Sequence, residues 1–498
     1  MKQFDDYIAR LSEIEKDMGF FESNTRDLLT EARRPHLNLE TVLDITHRAG
    51  RLIDIHTANL QKDEAFQASL ATLSSPTWKS FSDIQAPPEK IRALADKLYL
   101  GHLGRNNLAL LRFGDLTRSI AHDLVTRYIN DNVPFFILFS DSHFNTLVVN
   151  HADETGIKNL AERFLSMTEK VTLTSSIRDT GAGPAIPKVK EKHDAYTRIT
   201  EPFHERTLSG NVRWILTSIP SAADAAREGI THAEYIDHYL EMCDQPLDYD
   251  DTPQRTLIKE LNAASTLRFT NNDGTDLTMS LIDHDGTHFT FCNSTNKRNV
   301  PGSEAFSAPR RDSVNGVIVA MGQHPLRHDG SKIIRDLHMW FQNGKIIKFK
   351  TASETEDAYF QSYLDRDPNN YYVGEIGIGT NPYLKTHVAN TLLVEKIGGQ
   401  FHVALGTCYT MTDYIGDPVH VNNGNHTKNG DHWDIATMLY GRGGKIYLDD
   451  RLIMDDGKFI DQKYAILNDG WAAVPENQRP AHRKDLSRIK TKFERKTT

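Results

Sequence analysis

The sequence predicts an α/β plus β-rich protein: a helical N-terminal extension, an open parallel α/β domain and a mostly antiparallel β-rich domain. Three observations predict it. Residues 4–60 place apolar side chains at helical spacing, and residues 107–219 alternate short apolar runs with helical patterns. Residues 266–291 alternate apolar and polar side chains with a period of two. The predicted domains are 1–95, 96–250 and 251–470, followed by a basic tail at 471–498.

The helical extension carries no chemical signature. Its end is predicted at Pro87 and Pro88, because proline breaks helices and stiffens linkers. The α/β domain follows, with predicted strands and helices in alternation, which is typical of a parallel sheet. The predicted strands are 107–113, 134–140, 170–174 and 212–219, and the predicted helices are 117–130 and 157–166.

Glycines at 181 and 183 do not form a dinucleotide fingerprint, since they follow no strand in the required frame and open no helix. We interpret residues 181–187 as a loop. Two further helices are predicted at 232–243 and 252–264. An antiparallel meander then follows, with tight turns at 272–274 and 284–286. Further hairpins are signalled by Asn343-Gly344 and Asp456-Gly457, so the β-rich region extends to about residue 459.

Composition argues against several classes of function. The chain of 498 residues has a formal net charge of -9, so no general attraction to nucleic acid or anionic lipid is expected. Its three cysteines, Cys243, Cys292 and Cys408, show no CxxC spacing, which argues against a disulfide framework or a thiolate zinc site. The most apolar run, 133–139, is too short to span a bilayer. We therefore expect a cytoplasmic protein without a nucleic-acid or membrane partner.

Four segments of the β-rich region carry side chains that bind divalent metals. His432 and Asp434 are two residues apart, and in an extended segment such side chains project to the same side. His402 lies in a strand-like apolar run, where the ordinary alternative is a hydrogen-bonded core histidine. Glu375 lies in another such run, where a metal or an arginine would offset the cost of burial. Glu304 lies in a segment bounded by proline and glycine that otherwise resembles an exposed loop.

Together these five residues suit a borderline divalent ion such as zinc, cobalt or manganese. A bridging carboxylate can hold two ions about 3.5 to 4 Å apart, an arrangement that polarises a peptide carbonyl and generates hydroxide near neutral pH. Residue types alone do not decide whether one ion or two are bound.

The metal-binding segments resemble those of the aminopeptidase T and aminopeptidase S family, the thermophilic-type dinuclear metalloaminopeptidases. The likeness is carried, in this order, by NVPGSEAFSAP, GEIGIGTNP, FHVALGTCY and HWD, within residues 91–459. It implies Glu304 as a carboxylate bridging two divalent ions, with Glu375, His402, His432 and Asp434 as further ligands. It also implies Tyr409 as a hydrogen-bond donor to the transition state, a homodimer, and short peptides with a free amino end as substrates.

The expected function is therefore a metal-dependent aminopeptidase that uses a two-metal-activated hydroxide, with Glu375 as a candidate proton acceptor and Tyr409 as the second catalytic residue. GIGTNP and HWD also resemble the dihydroxypyridine ring-cleaving dioxygenases, which use a single non-haem iron. In that alternative His402, His432 and Asp434 would hold Fe(II). A second alternative is a catalytically silent binding module whose working surfaces are the helical extension and the basic tail.

Overall fold

The structure, a computed structural model, describes most of the chain. The described residues are 2–14, 28–35, 37–60, 84, 86–100, 108–139, 142–179, 188–208, 211–295, 298–326, 329–428, 430–480 and 483–484. The predicted loop at 181–187 and the end of the basic tail, 485–498, lie outside them. The chain forms two compact units, Met1–Ser80 and Phe81–Thr498. The predicted domain boundaries at 95, 250 and 470 stay predictions.

The described helices and strands have the following bounds. The α-helices are α1 (Lys2–Ile14), α2 (Leu39–Leu60), α3 (Pro88–Leu100), α4 (Arg118–Asn130), α5 (Ser142–His151), α6 (Glu154–Thr168), α7 (Lys190–Leu208), α8 (Ala222–Glu228), α9 (His232–Met242), α10 (Thr252–Ala263), α11 (Glu354–Leu364), α12 (Thr391–Val394) and α13 (Ala465–Asp469). Short 3-10 helices lie at Asp115–Thr117, Pro246–Asp248, Pro368–Tyr371, Gln462–Tyr464, Gly470–Ala473 and Glu476–Gln478. The strands are β1 (Ala109–Phe113), β2 (Phe135–Phe139), β3 (Leu173–Asp179), β4 (Arg213–Ile219), β5 (Thr266–Thr270), β6 (Asp276–Ser280), β7 (Cys292–Asn293), β8 (Asn299–Val300), β9 (Glu304–Ser307), β10 (Asn315–Leu326), β11 (Asp329–Gln342), β12 (Lys345–Lys350), β13 (Val373–Gly379), β14 (Gln400–Gly406), β15 (Asp413–Tyr414), β16 (Asp417–Pro418), β17 (His432–Met438), β18 (Lys445–Leu448), β19 (Arg451–Asp455) and β20 (Lys458–Phe459).

The described residues of the first unit are mainly helical, as their apolar spacing predicts. Helices α1 and α2 pack on each other through a small core that includes Leu11, Leu28, Ile45 and Ala49. Residues three, four and seven apart on a helix lie on one face, which explains why Phe4 and Leu11 are buried together.

The second unit begins with a parallel sheet in the strand order β2-β1-β3-β4-β8. Strands β1 and β3 pair in parallel, and so do β3 and β4, as the alternation of strands and helices predicts. The core beside this sheet includes Leu111, Ile120, Leu124, Ile215 and Tyr239. The predicted α/β plus β-rich fold class is confirmed. The strand predicted at 170–174 begins only at Leu173 and runs on to Asp179.

Two antiparallel sheets follow in the second unit. The larger has the order β12-β11-β10-β6-β5-β18-β19-β20, and the smaller has the order β17-β14-β13-β9-β7. One core contains residues of both sheets, and the rings of Phe269 in the larger and Phe401 in the smaller stack with centroids 3.4 Å apart. Strand β14 is buried along its whole length, so both of its faces are covered. Phe401 faces the larger sheet, which places the neighbouring His402 on the opposite face.

The third strand of the predicted meander, 287–291, is not a regular strand. Only an isolated bridge between Ile282 and His288 replaces it. The first half of this segment still bonds to the chain that follows β6, where Phe289 N–H donates to Leu281 O. The second half bonds elsewhere: Thr290 N–H donates to His420 O, and Phe291 N–H donates to Asn262 Oδ1. Pairing with the meander therefore stops at Phe289.

No helix among the described residues is long and apolar enough to cross a membrane.

Candidate metal centre

The five predicted ligands lie on one face of the smaller antiparallel sheet. His402 of β14 is directly opposite Gly377 of β13 and Ala436 of β17, and Gly377 is opposite Phe306 of β9. Residues opposite each other, and residues two apart along a strand, share a face. Along its own strand, each predicted ligand coincides with one of these opposed residues or lies an even number of residues from it. The ligands therefore share one face of the sheet: Glu304, Glu375, His402, His432 and Asp434.

Their ligand atoms form two overlapping groups. In the first, His402 Nε2 lies 3.0 Å from Glu304 Oε1 and 3.6 Å from Glu375 Oε1. In the second, His432 Nε2 lies 3.3 Å from Glu375 Oε2 and 3.4 Å from Asp434 Oδ1. The ligand atoms of each group lie within 4.8 Å of one another. Glu375 belongs to both groups and turns one oxygen toward each imidazole.

Buried polar atoms converge where an ion would bind. Glu304 Oε1, Glu375 Oε2 and His402 Nε2 are buried and make no hydrogen bond of acceptable geometry to any described residue. Each such atom is costly to leave unsatisfied, and a divalent cation would satisfy all three. Gly377 provides the room, because a Cβ there would lie 2.1 Å from His402 Cε1 and 3.0 Å from Glu304 Oε1. The residues present therefore fit a divalent metal.

Both imidazoles contact the protein through their second nitrogen. His432 Nδ1 lies 2.7 Å from the Thr407 carbonyl oxygen, so an Nδ1–H donates there and Nε2 is the nitrogen that is left for a metal. Such an outer contact fixes the ring orientation of a metal-binding histidine. His402 Nδ1 lies 3.1 Å from the amide nitrogen of Gln400, which is a donor and cannot accept a ring N–H.

The charges of the site stabilise positive charge on both imidazoles. Burial opposes a charge on His402, but Glu304 and Glu375 outweigh burial and raise its pKa to about 10. Burial also opposes a charge on His432, where Asp434 and Glu375 hold the pKa well above its usual value. Metal binding releases such ligand protons, since an imidazole binds metal in its neutral form.

Tyr409 lies beside the second group. Its ring is 5.6 Å from the ring of His432, between centroids, and 5.5 Å from that of Phe306. Burial and the nearby carboxylates, Glu375 first among them, raise the pKa of Tyr409 well above 10. Its hydroxyl therefore stays protonated and can donate a hydrogen bond.

One side of the site is closed and the other is open. The side chains of Lys396 and His402 have no exposure, and those of Glu304 and Glu375 are only 4% and 5% exposed. The side chain of His432 is 20% exposed and that of Asp434 is 16% exposed. A ligand from solvent therefore reaches the site on the side of these two residues.

Sequence reasoning missed two charged residues of the site. Lys396 is fully buried; its Nζ contacts Glu304 Oε2 and lies 2.8 Å from Glu395 Oε2. Burial opposes the charge on Lys396, but Glu304 and Glu395 outweigh burial and raise its pKa. Burial also raises the pKa of Glu395 to about 8, against the opposing effect of Lys396. No local pattern signals this pair, since adjacent charged residues beside a Gly-Gly turn are ordinarily exposed.

Sequence reasoning also missed Gly377, although here a signal exists. Glycines alternate with isoleucines in GEIGIG, and glycine inside a strand often marks a close approach of another group. The close approach is that of the His402 imidazole.

The fold and the site together define a class: an α/β protein with a histidine- and carboxylate-rich metal centre on an antiparallel sheet. The profile of the family described as thermophilic metalloprotease (M29) matches residues 116–459. The chain belongs to this family, which confirms the resemblance found in the sequence.

Similar proteins include two named aminopeptidases. Aminopeptidase AmpS of Bacillus subtilis (strain 168) is 28% identical over 152 residues, which are 28% of this chain and 34% of that protein. Aminopeptidase T of Thermus aquaticus is 29% identical over 144 residues, which are 27% of this chain and 34% of that protein. The chain thus matches about a third of the length of these curated relatives.

The fold is shared with a solved structure, wild-type AmpT from Thermus thermophilus. The TM-score is 0.58 at 18% identity, over 74% of this chain and 99% of that one. The 2,5-dihydroxypyridine dioxygenase from Pseudomonas putida KT2440 is similar at a TM-score of 0.46 and 13% identity, over 76% of this chain and 100% of that one. The latter likeness is too low to indicate a shared reaction.

Proposed function

We propose that this protein is a metal-dependent aminopeptidase that removes amino-terminal residues from short peptides. One observation carries the proposal: two groups of metal ligands share Glu375 on one sheet face, in a chain of a metalloprotease family. A shared carboxylate is the arrangement that two neighbouring divalent ions need.

The proposed ligands divide between two ions. Glu304 and His402 would serve one ion, His432 and Asp434 the other, and Glu375 both. Imidazole and carboxylate donors suit zinc, cobalt or manganese. When bound, such a pair of ions polarises a carbonyl and lowers the pKa of a water molecule.

We assign the bridging role to Glu375 in place of Glu304, because the second oxygen of Glu304 contacts Lys396. Glu375 is then a ligand through both oxygens and is not available as the proton acceptor that the sequence suggested.

Tyr409 is proposed to stabilise the oxyanion. A protonated hydroxyl beside the ligand group of His432 is a suitable donor to negative charge that develops on a substrate carbonyl oxygen. The carboxylate of Asp434, whose side chain is 16% exposed, favours a cationic amino end on the open side.

The homodimer and the cytoplasmic location predicted from the sequence are also proposals. The three cysteines are free and buried, which suits a reducing compartment. Sedimentation of the purified protein would measure the oligomeric state, and a monomer at micromolar concentration would contradict the dimer.

The single-iron alternative has weaker support. It needs His402, His432 and Asp434 on one ion, whereas the ligand groups separate His402 from His432. Oxygen uptake by the protein with ferrous iron and a dihydroxylated pyridine would support the single-iron alternative.

The proposal is tested by metal analysis together with hydrolysis of aminoacyl amides and dipeptides. We expect two metal equivalents per chain and a metal-dependent release of the amino-terminal residue. His432→Ala should remove the activity. His284→Ala is the matched control, since that histidine is 69% exposed and, among the described residues, forms an ion pair with Asp312 alone, at 3.3 Å. Fewer than two equivalents and no release of amino acid with zinc, cobalt or manganese would contradict the proposal.

A further inference from the structure

Lys396 is a buried lysine in the wall of the metal centre that the proposed reaction does not use. Its position is fixed by the backbone, because its N–H donates to Leu393 O and its carbonyl accepts from Asn381 N–H, both at 3.0 Å. From there its ammonium group reaches two carboxylates, Glu304 and Glu395. A fully buried lysine is rare unless it is paired, so these contacts account for its presence.

Lys396 makes the two glutamate ligands unequal. Glu304 turns Oε2 to Lys396 and Oε1 to His402 Nε2 at 3.0 Å. Glu375 has no such lysine contact in the described structure, and each of its oxygens faces an imidazole. Glu304 can therefore offer one oxygen to a metal, while Glu375 offers two.

Four carboxyl groups surround the proposed ions: Glu304, Glu375, Asp434 and Glu395. Before any metal is bound, crowding of negative charge in a buried site opposes folding, and the two imidazoles offset part of it. The Lys396 ammonium offsets a further part at a fixed place. It lies on the closed side of the site, where solvent cannot screen the charges.

We propose that Lys396 is a positioning residue that acts as an internal counter-cation: it holds Glu304 with a single oxygen toward the metal and stabilises the carboxylate cluster when metal is absent. This inference rests on the proposed metal site. It predicts that Lys396 and the metal compensate the same negative charge. Loss of Lys396 should therefore destabilise the folded protein most when metal is absent.

A second lysine provides a matched control. Lys385 lies on the same connection between β13 and β14, and its Nζ is 5.5 Å from the centroid of the Tyr440 ring. Burial, reinforced by Lys458, lowers the pKa of Lys385 to about 8, which is the reverse of the effect at Lys396. Its change to methionine removes a half-buried ammonium that, among the described contacts, reaches none of the proposed metal ligands.

The test compares the melting temperatures of wild type, Lys396→Met and Lys385→Met, each after chelation and again with added manganese or zinc chloride. We expect metal-free Lys396→Met to melt about 3 to 6 °C below metal-free wild type, because two buried carboxylates lose their partner. Metal should reduce this deficit by about half or more, because the bound cation neutralises the carboxylates that have lost the Lys396 ammonium and therefore stabilises the variant more than it stabilises wild type. Lys385→Met should show no deficit that depends on metal.

An equal deficit with and without metal would overturn the inference while leaving the metal site intact. A wild type whose melting temperature does not respond to any metal would instead overturn the proposed function. If metal-free Lys396→Met does not fold, the inference is tested by the stability of the double variant Glu304→Gln with Lys396→Met. It removes both charges, so it should be more stable without metal than Lys396→Met, and a less stable double variant would refute the counter-cation role.

Discussion

Gly377→Ala is the sharpest test of the site geometry. Gly377 does not have a positive φ, so its backbone accepts alanine. The new Cβ would lie 2.1 Å from His402 Cε1 and 2.3 Å from His402 Nε2. Carbon contacts are ordinarily about 3.5 to 4 Å, so the imidazole must move by roughly 1.5 Å. Metal ligands are held to within about 0.2 Å, and a displacement of about 1 Å can reduce a rate about 100-fold.

We therefore expect Gly377→Ala to lose the ion of the His402 group and to hydrolyse dipeptides at least about 100-fold more slowly. The assays are elemental analysis of the chelator-washed protein and initial rates at saturating metal, with circular dichroism to check the fold. Gly286→Ala is the control, because a Cβ there meets nothing within 4 Å and its positive φ of 88° adds only local strain. A Gly377→Ala protein with two metal equivalents and near wild-type rates would refute the placement of His402 in the site.

Three further predictions concern catalysis and stability. Tyr409→Phe should lower kcat about 100- to 1000-fold without changing the metal content, as expected when one donor to an oxyanion is lost, and an unchanged kcat would remove Tyr409 from the mechanism. Burial works against ionisation of Glu260, but Lys463 outweighs burial and lowers the pKa of Glu260 to about 2. This carboxylate therefore stabilises the folded state at pH values above its unfolded pKa. The stabilisation is lost as the pH falls toward 2. Glu260→Gln should accordingly melt below wild type at pH 7, with a difference that shrinks between about pH 5 and pH 2 in calorimetry; a difference independent of pH would contradict this. Arg483→Ala should reduce the free energy of unfolding by about 3 kcal/mol in urea titrations, because it leaves two buried carboxylates without their guanidinium. Arg268→Ala, which breaks an exposed pair, should cost less than about 1 kcal/mol, and equal losses for the two arginines would contradict the role of burial.

Most of the candidate ligand set was predictable because the sheet has a period of two. His432 and Asp434 share a face whatever strand lies beside them. Glu375 and His402 stood out because each interrupts an apolar run, and a buried strand rarely tolerates an unpaired polar or charged residue. Glu304 carried a weaker signal, since its segment otherwise resembles an exposed loop. The bridging role was predicted for Glu304 from resemblance, whereas the geometry favours Glu375, since only the arrangement of the strands shows which carboxylate faces both histidines.

The sequence by itself determined the alternation of strands and helices in the α/β region, the parallel and antiparallel character of the two sheet regions, and the candidate metal ligands. These properties follow from local spacing, which the chain carries along its length. The tertiary structure decided the strand order β17-β14-β13-β9-β7, and with it the meeting of residues up to 130 positions apart, from Glu304 to Asp434. It also decided that Lys396 is buried between Glu304 and Glu395, because burial depends on which elements cover a residue and not on the residue itself.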